Sequence, residues 1–321
     1  MIQPELAATD GKLIRLSAVS ECQSHNHNDL TFDEDALDSY TDAEMIAFFV
    51  DGRAAPDEIF ALKHAREMGI RVPTVHRSIF FDDPPFPSAI IIMERIHGRT
   101  LEHLWAEIGW WKTIRLALQL RRFAQIMRAD TSTTTGGLVS GFIRSPYLDG
   151  IYAPLPHSSP AAFTGYVNWW LVNCRPTLVK PRPDLSLQPL REHIFVHQDL
   201  VGRNIVVDAR DQLWIVDWGF AGYYPIYMEY MGMHAPFMPW SSNSWISSWM
   251  ARLARWRWAF LRFIVLGSSR PYQRARDAMI EVYRRSCKFR LERAPDSQPD
   301  GPDFTDEPPH LISLVVGIPG L

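Results

Sequence analysis

The chain has 321 residues, of which 46% are hydrophobic and 21% are charged, the composition of a globular protein that can bury a full core. The formal net charge of −3 gives no whole-chain reason to expect nucleic acid as a partner. The sequence shows no apolar run long enough to cross a membrane and no basic-then-apolar signal pattern at its N-terminus. The three cysteines are far apart and form no CxxC pair, so we expect a reducing, cytoplasmic setting.

The first fifty residues contain two predicted short strands, at residues 12–17 and 45–50, separated by an acidic segment. This segment, residues 21–44, holds eight acidic residues and no lysine or arginine, which is typical of a solvated or flexible insert. His25 and His27 lie inside it, but two histidines without further ligands do not predict a metal site.

A helix is predicted next, because a proline and two acids at residues 56–58 suit a first helical turn and Gly69 suits a helix end. The apolar run at residues 90–93 predicts a strand, and Thr100 is the predicted N-cap of a short helix over residues 100–105. Residues 111–128 form a long amphipathic helix by their periodicity. Its expected core positions are Leu116, Leu120, Phe123 and Met127.

The C-terminal half alternates between loops and helices. Residues 130–160 have loop composition, and helices are predicted at residues 161–174 and 227–231. Residues 240–262 mix tryptophans with arginines, a pattern of interfacial membrane helices but also of core helices that keep arginine heads at their rim. We favour the second interpretation. Residues 291–310 have the composition of a linker or tail.

The stretch from residue 194 to residue 224 places polar residues at the ends of short strands. The strands are predicted at residues 194–196, 205–207 and 213–216. His197 and Asp199 follow the first strand, and a hairpin of the other two brings Asn204 beside Asp217. We expect Gly219 to allow a sharp turn of the backbone after Asp217.

These residue types suit phosphoryl transfer. The reaction needs a carboxylate that accepts the proton of the attacking hydroxyl, and oxygen ligands that hold Mg²⁺ on the nucleotide phosphates. Asp199 would be the base. Asn204 and Asp217 would be the metal ligands, because Mg²⁺ prefers a few hard oxygen donors together with water. A metal hydrolase that uses His197 and Asp199 as ligands lacks the additional ligand set.

The pattern HxDxxxxN, a strand and DWG, followed by FAGYYP and the pair Glu229–Tyr230, resembles the aminoglycoside phosphotransferase and choline kinase-like family. Its order and spacing are also similar to the catalytic loop and DFG segment of protein kinases. The resemblance covers about residues 12–290 and implies an α+β, protein-kinase-like two-lobed fold. It places a small β-containing N-lobe at residues 1–93, a hinge at 94–98, a larger mainly helical C-lobe at 99–290 and a tail at 291–321.

The resemblance also implies roles for individual residues. His197 would brace the catalytic loop, and Glu94 and Ile96 would belong to a hinge whose backbone contacts adenine. Glu58 matches the helix glutamate that pairs with a strand lysine holding the nucleotide phosphates. The implied cofactors are ATP and Mg²⁺, and the implied partner is a small-molecule hydroxyl acceptor, for which aminoglycosides, choline-like amines, sugars and secondary metabolites all suit the motif.

The sequence departs from the family at the strand lysine, because Val50 and Asp51 precede Gly52 where the family has lysine two residues before the glycine. Lys12 and Arg15 on the earlier strand are possible substitutes, and Glu58 has the alternative role of a first-turn acid that stabilises its helix. Two functions therefore stay open: an ATP- and Mg²⁺-dependent phosphotransferase, and a pseudokinase-like protein that binds a small molecule or partner without phosphoryl transfer. The oligomeric state stays open as well.

Overall fold

The computed structural model describes residues 39, 41–42, 53–81, 88–148, 153–173, 180–234 and 248–292. The strands predicted at residues 12–17 and 45–50 lie outside these ranges, as do His25, His27, Lys12, Arg15 and most of the acidic segment. Within that segment, the carboxylate of Asp42 forms an ion pair with Arg77. In the described part of the chain, no helix has the length and apolar character needed to cross a bilayer.

Residues 53–93, as far as the structure describes them, form an antiparallel sheet and a helix. Strands β1 (Arg53–Ala54), β2 (Val75–Phe81) and β3 (Ser88–Met93) pair in the order β1-β3-β2. Helix α1 (Pro56–Glu67) begins with the predicted proline and acids, and Gly69 adopts a left-handed φ of 84° just beyond its end. Its buried side chains, Ile59, Leu62 and Ala65, recur at helical spacing and join the core.

A short connection links the sheet to the helical part of the chain. Strand β4 (Gly98–Thr100) leads into helix α2 (Leu101–Leu104), and the Thr100 hydroxyl accepts a hydrogen bond from the backbone N–H of His103 at 3.3 Å. The predicted N-cap is therefore confirmed.

Five longer elements build the helical part: α3 (Trp110–Ala129), α4 (Pro160–Asn173), α5 (Ile226–Gly232), α6 (Ser248–Leu266) and α7 (Gln273–Glu292). Helix α3 packs against α6, and α4 packs against α7. The predicted core positions of α3 are confirmed, since all four are less than 5% exposed: Leu116, Leu120, Phe123 and Met127. Helix α7 continues through Leu291 and Glu292, the first residues of the predicted tail.

Two small antiparallel sheets position the polar residues. One pairs β5 (Thr131–Ser132), β6 (His193–Val196) and β9 (Gly222–Tyr224), and the other pairs β4, β7 (Ile205–Asp208) and β8 (Leu213–Ile215). The register of β7 and β8 pairs Ile205 with Ile215, which confirms the predicted hairpin. The mixture of helices and small antiparallel sheets is the predicted α+β architecture.

Candidate active site

The loop after β6 is fixed by a buried carboxylate on α5. Gln198 adopts a left-handed φ of 68°, and its side-chain amide donates hydrogen bonds to the carbonyls of Arg144 and Phe220 at 3.1 and 2.6 Å. Glu229, 2% exposed, accepts the backbone N–H of His197 through Oε2 at 2.6 Å. Burial is the main cause that raises the pKa of Glu229 from 4.5 to about 7.

His197 uses both ring nitrogens within the protein. Nδ1 accepts the backbone N–H of Asp199 at 3.2 Å, so Nε2 carries the proton and donates it to the Val216 carbonyl at 3.1 Å. The ring also lies edge-on to the buried Trp218 ring, with centroids 4.7 Å apart. Burial lowers the pKa of His197 to about 4, which keeps the imidazole neutral. The residue therefore links the catalytic loop to the end of the hairpin and has no lone pair left for a metal.

Asp199 is a nearly buried carboxylate with one oxygen already engaged. Its side chain is 8% exposed, and Oδ2 accepts hydrogen bonds from Arg203 Nη2 at 2.6 Å and Asn204 Nδ2 at 2.9 Å. Burial raises the pKa of Asp199 above 3.8, and the charge of Asp217 acts in the same direction, whereas Arg203 and Asn204 lower it. Oδ1 is the oxygen that remains for an incoming hydroxyl among the described contacts.

Asn204 and Asp217 lie at the open end of the hairpin, as predicted. The backbone N–H of Val216 donates to the Asn204 carbonyl at 3.0 Å, which extends the ladder of β7 and β8 to the residue before Asp217. Asn204 turns its amide group toward Asp199, donating to both the carbonyl and the carboxylate of that residue, so its side-chain oxygen is left for another ligand. Asp217 is exposed, and in the described residues its carboxylate has no hydrogen-bond or ion-pair partner.

The predicted turn at Gly219 is present, closed by the backbone N–H of Ala221, which donates to the Trp218 carbonyl at 3.0 Å, but it does not use a left-handed glycine. The left-handed residue is Asp217 itself, with φ 64°, and Gly219 has an ordinary backbone conformation. Aspartate is among the few residues that tolerate this region, because its short polar side chain meets little steric hindrance there. In this conformation the Asp217 side chain is exposed. The left-handed backbone is therefore adopted by the aspartate and not by Gly219.

Glu58 is brought to the same place from α1. A Cβ on Gly219 would lie 3.5 Å from Glu58 Oε2 and 3.8 Å from Asp217 Oδ1, so both carboxylates adjoin that glycine. Burial, followed by the charge of Asp217, raises the pKa of Glu58 from 4.5 to about 7. The backbone N–H of Trp218 and the charge of Arg144 oppose this rise in pKa. Glu58 is thus more than a first-turn acid, although no lysine in the described residues pairs with it.

These carboxylates form a negative cluster that fits a divalent cation. Asp217 raises the pKa of both Asp199 and Glu58, which is the electrostatic signature of like charges held close together. Asn204 and Asp217 supply two hard oxygens, a number that suits Mg²⁺, which keeps several waters or phosphate oxygens. No group of three or more His, Cys, Asp or Glu side chains in the described ranges is arranged as a metal cage.

The predicted hinge residues, Glu94 and Ile96, lie beside the hairpin of β7 and β8, apart from the carboxylates. The Glu94 carboxylate accepts the backbone N–H and the hydroxyl of Thr74 at 3.1 and 2.7 Å, and these bonds lower its pKa. Ile96 is half-buried. Both border a shallow cleft whose lining also includes Arg95, His97, Asp208 and Trp214. Trp214 pairs with Val206, two residues from Asn204, so the cleft and the carboxylate cluster share one strand pair.

Four charged residues make contacts around the site that were not predicted from the sequence. Arg203 donates a hydrogen bond to the Asp199 carboxylate, and the charge of Arg144 lowers the pKa of Glu58. Glu229 accepts the backbone N–H of His197 and so fixes the loop after β6. Asp57 accepts the backbone N–H groups of residues 139 and 140, both at 3.0 Å, and so fixes that loop to α1. Glu229 had a sequence signal, because it is the single acid between Asp217 and Asp277 and lies in an apolar helix. Asp57 was predicted only as an acid of the first turn of its helix, and Arg144 and Arg203 had no sequence signal.

The arrangement agrees with a comparison of the sequence with family profiles. The profile described as the phosphotransferase enzyme family matches residues 51–264, more than half of the chain. The chain belongs to the phosphotransferase enzyme family. The family fold is protein-kinase-like, as predicted. The matched range contains every site residue that was predicted from the sequence for this family member: Glu58, Glu94, Ile96, His197, Asp199, Asn204 and Asp217.

Other comparisons add little. No curated protein sequence matches the chain. Among solved structures, it is similar to the crystal structure of LicA in complex with AMP, at 10% sequence identity and a TM-score of 0.27. That match covers 73% of this chain and 78% of the LicA chain. A likeness at this level supports no argument about the site.

Proposed function

We propose that this family member is an ATP- and Mg²⁺-dependent phosphotransferase that acts on a hydroxyl group of a small molecule. The observation that carries the proposal is the pairing of a nearly buried carboxylate, Asp199, with an exposed and unpaired one, Asp217, across Asn204. One is positioned as a base and the other as a metal ligand. Location in the cytoplasm and the absence of a nucleic-acid partner stay predictions from composition.

The residues divide the chemical work between them. Asp199 Oδ1 orients the acceptor hydroxyl and accepts its proton, and the raised pKa of Asp199 brings the carboxylate closer to the range of a working base. Asn204 and Asp217 would hold Mg²⁺, which supplies charge neutralisation on the phosphates when bound. His197 and Glu229 fix the loop backbone, so the carboxylate is positioned before a substrate arrives.

The nucleotide base is assigned to the cleft at Glu94 and Ile96. The side chain of Glu94 is occupied by Thr74, so its recognition role falls to the backbone, as in the predicted hinge. Half-buried Trp214 and Asp208 line the side of this cleft that belongs to the hairpin. Phosphates of a nucleotide placed there would extend along the hairpin toward Asn204.

Arg144 is the best candidate for the cation that replaces the missing strand lysine. Its backbone is held by the Tyr224 hydroxyl, which accepts from the Arg144 N–H at 2.8 Å and donates to its carbonyl at 2.9 Å. Its side chain is exposed, and its charge reaches Glu58. We expect Arg144→Gln to raise the KM for ATP with little change in the melting temperature, whereas Arg191→Gln, an exposed control, should change neither.

The acceptor is proposed to be a neutral or anionic alcohol. Arg203 lies against Asp199, and its side chain is 47% exposed, so a guanidinium faces the place where the hydroxyl must approach. A polycationic aminoglycoside would bring ammonium groups next to this charge, which is unfavourable. A panel of sugar alcohols, hydroxy acids and aminoglycosides, compared by kcat/KM, tests this assignment. Preference for the aminoglycosides would contradict it.

Binding without phosphoryl transfer is the second candidate function. The environment of Glu58 favours this function. In the described residues Glu58 adjoins Asp217 and the Trp218 backbone, and no lysine pairs with it. The intact set of Asp199, Asn204 and Asp217 opposes it, because a protein that only binds has no need for a positioned base.

Thermal unfolding with and without Mg²⁺-ATP tests the nucleotide site. A ligand at a hundred times its Kd stabilises the folded state by about 2.7 kcal/mol. We expect a Mg²⁺-dependent rise in Tm that is lost in Asp217→Asn and kept in the control Asp277→Asn, an exposed acid on α7. Asparagine is preferred to alanine because it tolerates the left-handed backbone of residue 217. The absence of a shift in the unaltered protein would contradict the proposal.

A further inference from the structure

Helix α6 exposes a continuous line of large apolar side chains. Leu253, Trp256, Phe260 and Phe263 are 48%, 76%, 38% and 58% exposed. Their spacing of three, four and three residues places them on one side of the helix. The Trp110 ring at the start of α3, 46% exposed, lies 5.6 Å from the Phe260 ring and widens the line. We name these five residues the aromatic face.

The aromatic face is not the side by which α6 joins the core. Trp258, Leu261 and Val265, at most 7% exposed, lie on the opposite side of the helix and pack toward α3. The Trp258 ring contacts the buried Trp105 ring at 5.5 Å. The favoured prediction of a core helix with buried aromatics therefore holds for Trp258, but Trp256, two residues earlier, points outward. Single exposed apolar residues are ordinary, whereas a contiguous patch of this kind marks an interaction surface.

The two helices that carry the aromatic face have cationic residues and no acidic ones. In a chain with a net charge of −3, α3 has five lysines and arginines, α6 has four, and neither has an aspartate or glutamate. Several of these cations bind within the fold, as when Arg257 donates to the Ile108 carbonyl at 2.6 Å. Five of the arginines on the two helices are exposed to solvent, whether or not they also contact other residues: Arg115, Arg121, Arg122, Arg252 and Arg255.

We propose that the aromatic face binds an anionic lipid bilayer. Aromatic and aliphatic side chains in line, flanked by arginines, match the boundary between acyl chains and anionic headgroups. A second copy of the chain would place arginines against arginines, which opposes self-association through this face. Since no described helix can span a bilayer, the contact is peripheral, with α6 lying along the membrane surface. The proposal is independent of the reaction catalysed.

Sedimentation of the full chain with vesicles tests the proposal. The protein should sediment with phosphatidylcholine vesicles that contain phosphatidylserine, should remain in solution with phosphatidylcholine alone, and should dissociate as the salt concentration rises. The double variant Trp256→Ser, Phe263→Ser should weaken binding at least about tenfold, because each buried aromatic contributes a large apolar area. Replacing Arg252 and Arg255 by glutamine should remove the preference for phosphatidylserine.

Two controls distinguish binding by the aromatic face from nonspecific binding of exposed apolar residues and from loss of the fold. Leu190→Ser changes a side chain 42% exposed in a loop away from α6 and should leave vesicle binding unchanged. The aromatic variant should keep the Tm of the unaltered protein, because it removes only exposed groups. The proposal is overturned if the unaltered chain ignores phosphatidylserine vesicles, or if the aromatic variant binds them equally well.

If the aromatic face binds something other than a lipid bilayer, the same variants give a different result for each binding partner. A concentration-dependent dimer in sedimentation equilibrium that the aromatic variant abolishes would assign the face to a second copy. Tighter binding to a single-stranded RNA than to vesicles, lost in the same variant, would assign it to nucleic acid. Vesicle binding that appears only after removal of residues 293–321 would mean that this segment covers the face in the full chain. Each of these results overturns the proposal.

Discussion

The buried carboxylate of Glu229 gives a testable link between the site and stability. The group is 2% exposed, Oε2 accepts backbone N–H groups of His197 and Gln198 at 2.6 and 3.5 Å, and Oε1 has no hydrogen-bond partner. Removal from water favours the neutral acid and raises the pKa of Glu229 from 4.5 to about 7. Glu229→Gln keeps the shape and one accepting oxygen but cannot ionise.

The sign and size of the effect follow from linkage. Stability that depends on protonated Glu229 is fully present below pH 4.5 and is lost as the pH rises through about 7. At about 1.4 kcal/mol for each pH unit, this group removes about 3 kcal/mol from the unaltered protein over that interval. The neutral His197 acts oppositely, because its contribution is present above pH 6.5 and lost as the pH falls through about 4. Both proteins retain His197, so its contribution cancels in their difference.

Urea unfolding at about pH 5 and about pH 8 measures the effect. The free energy of unfolding of Glu229→Gln, relative to that of the unaltered protein, should rise by about 3 kcal/mol between the two conditions. The control Glu67→Gln, an exposed acid at the end of α1, should follow the unaltered protein at both. Parallel curves for Glu229→Gln and the unaltered protein would refute the reasoning, since the carboxylate would then ionise as freely in the fold as in water.

Three further predictions concern the proposed base Asp199, its neighbour Arg203, and the contact between Asp57 and the loop at residues 139–140. Asp199→Asn should lower kcat by at least about a hundredfold while Mg²⁺-ATP still raises Tm, and an unchanged rate would remove Asp199 as the base. Arg203→Met should raise the pKa of Asp199 and move the acid limb of kcat/KM to higher pH, with Arg191→Met as control; a shift to lower pH contradicts it. Asp57→Asn should lower the unfolding free energy by about 1–3 kcal/mol, because two N–H groups of residues 139–140 lose a charged acceptor. An unchanged urea midpoint would show that this contact is dispensable.

Local patterns were enough to predict the elements that hold the candidate site residues. Helix α1 has a proline at its start and a glycine just beyond its end, and α3 has apolar residues at helical spacing, so both could be placed within a few residues. The hairpin of β7 and β8 was predictable because two short apolar strands flank a polar turn. Once the hairpin is placed, the adjacency of Asn204 and Asp217 follows from its register.

Interactions between distant segments required the tertiary structure. Glu58 and Asp217 are far apart in sequence, and only the packing of α1 near the hairpin end lets the charge of Asp217 raise the pKa of Glu58. The positive charge near Glu58, that of Arg144, also comes from a distant segment, whereas Arg203 reaches Asp199 from only four residues along the chain.

The sequence by itself predicted that residues 194–224 place two carboxylates and an asparagine at the ends of short strands, because strand pairing and motif spacing are local properties. Only the tertiary structure decided which side of α6 is buried. Trp256 and Trp258 lie in the same run of tryptophan and arginine, yet one is 76% exposed and the other 7%. Which of two apolar faces of a helix is covered depends on what packs against it, and the helix's own sequence does not specify that neighbour.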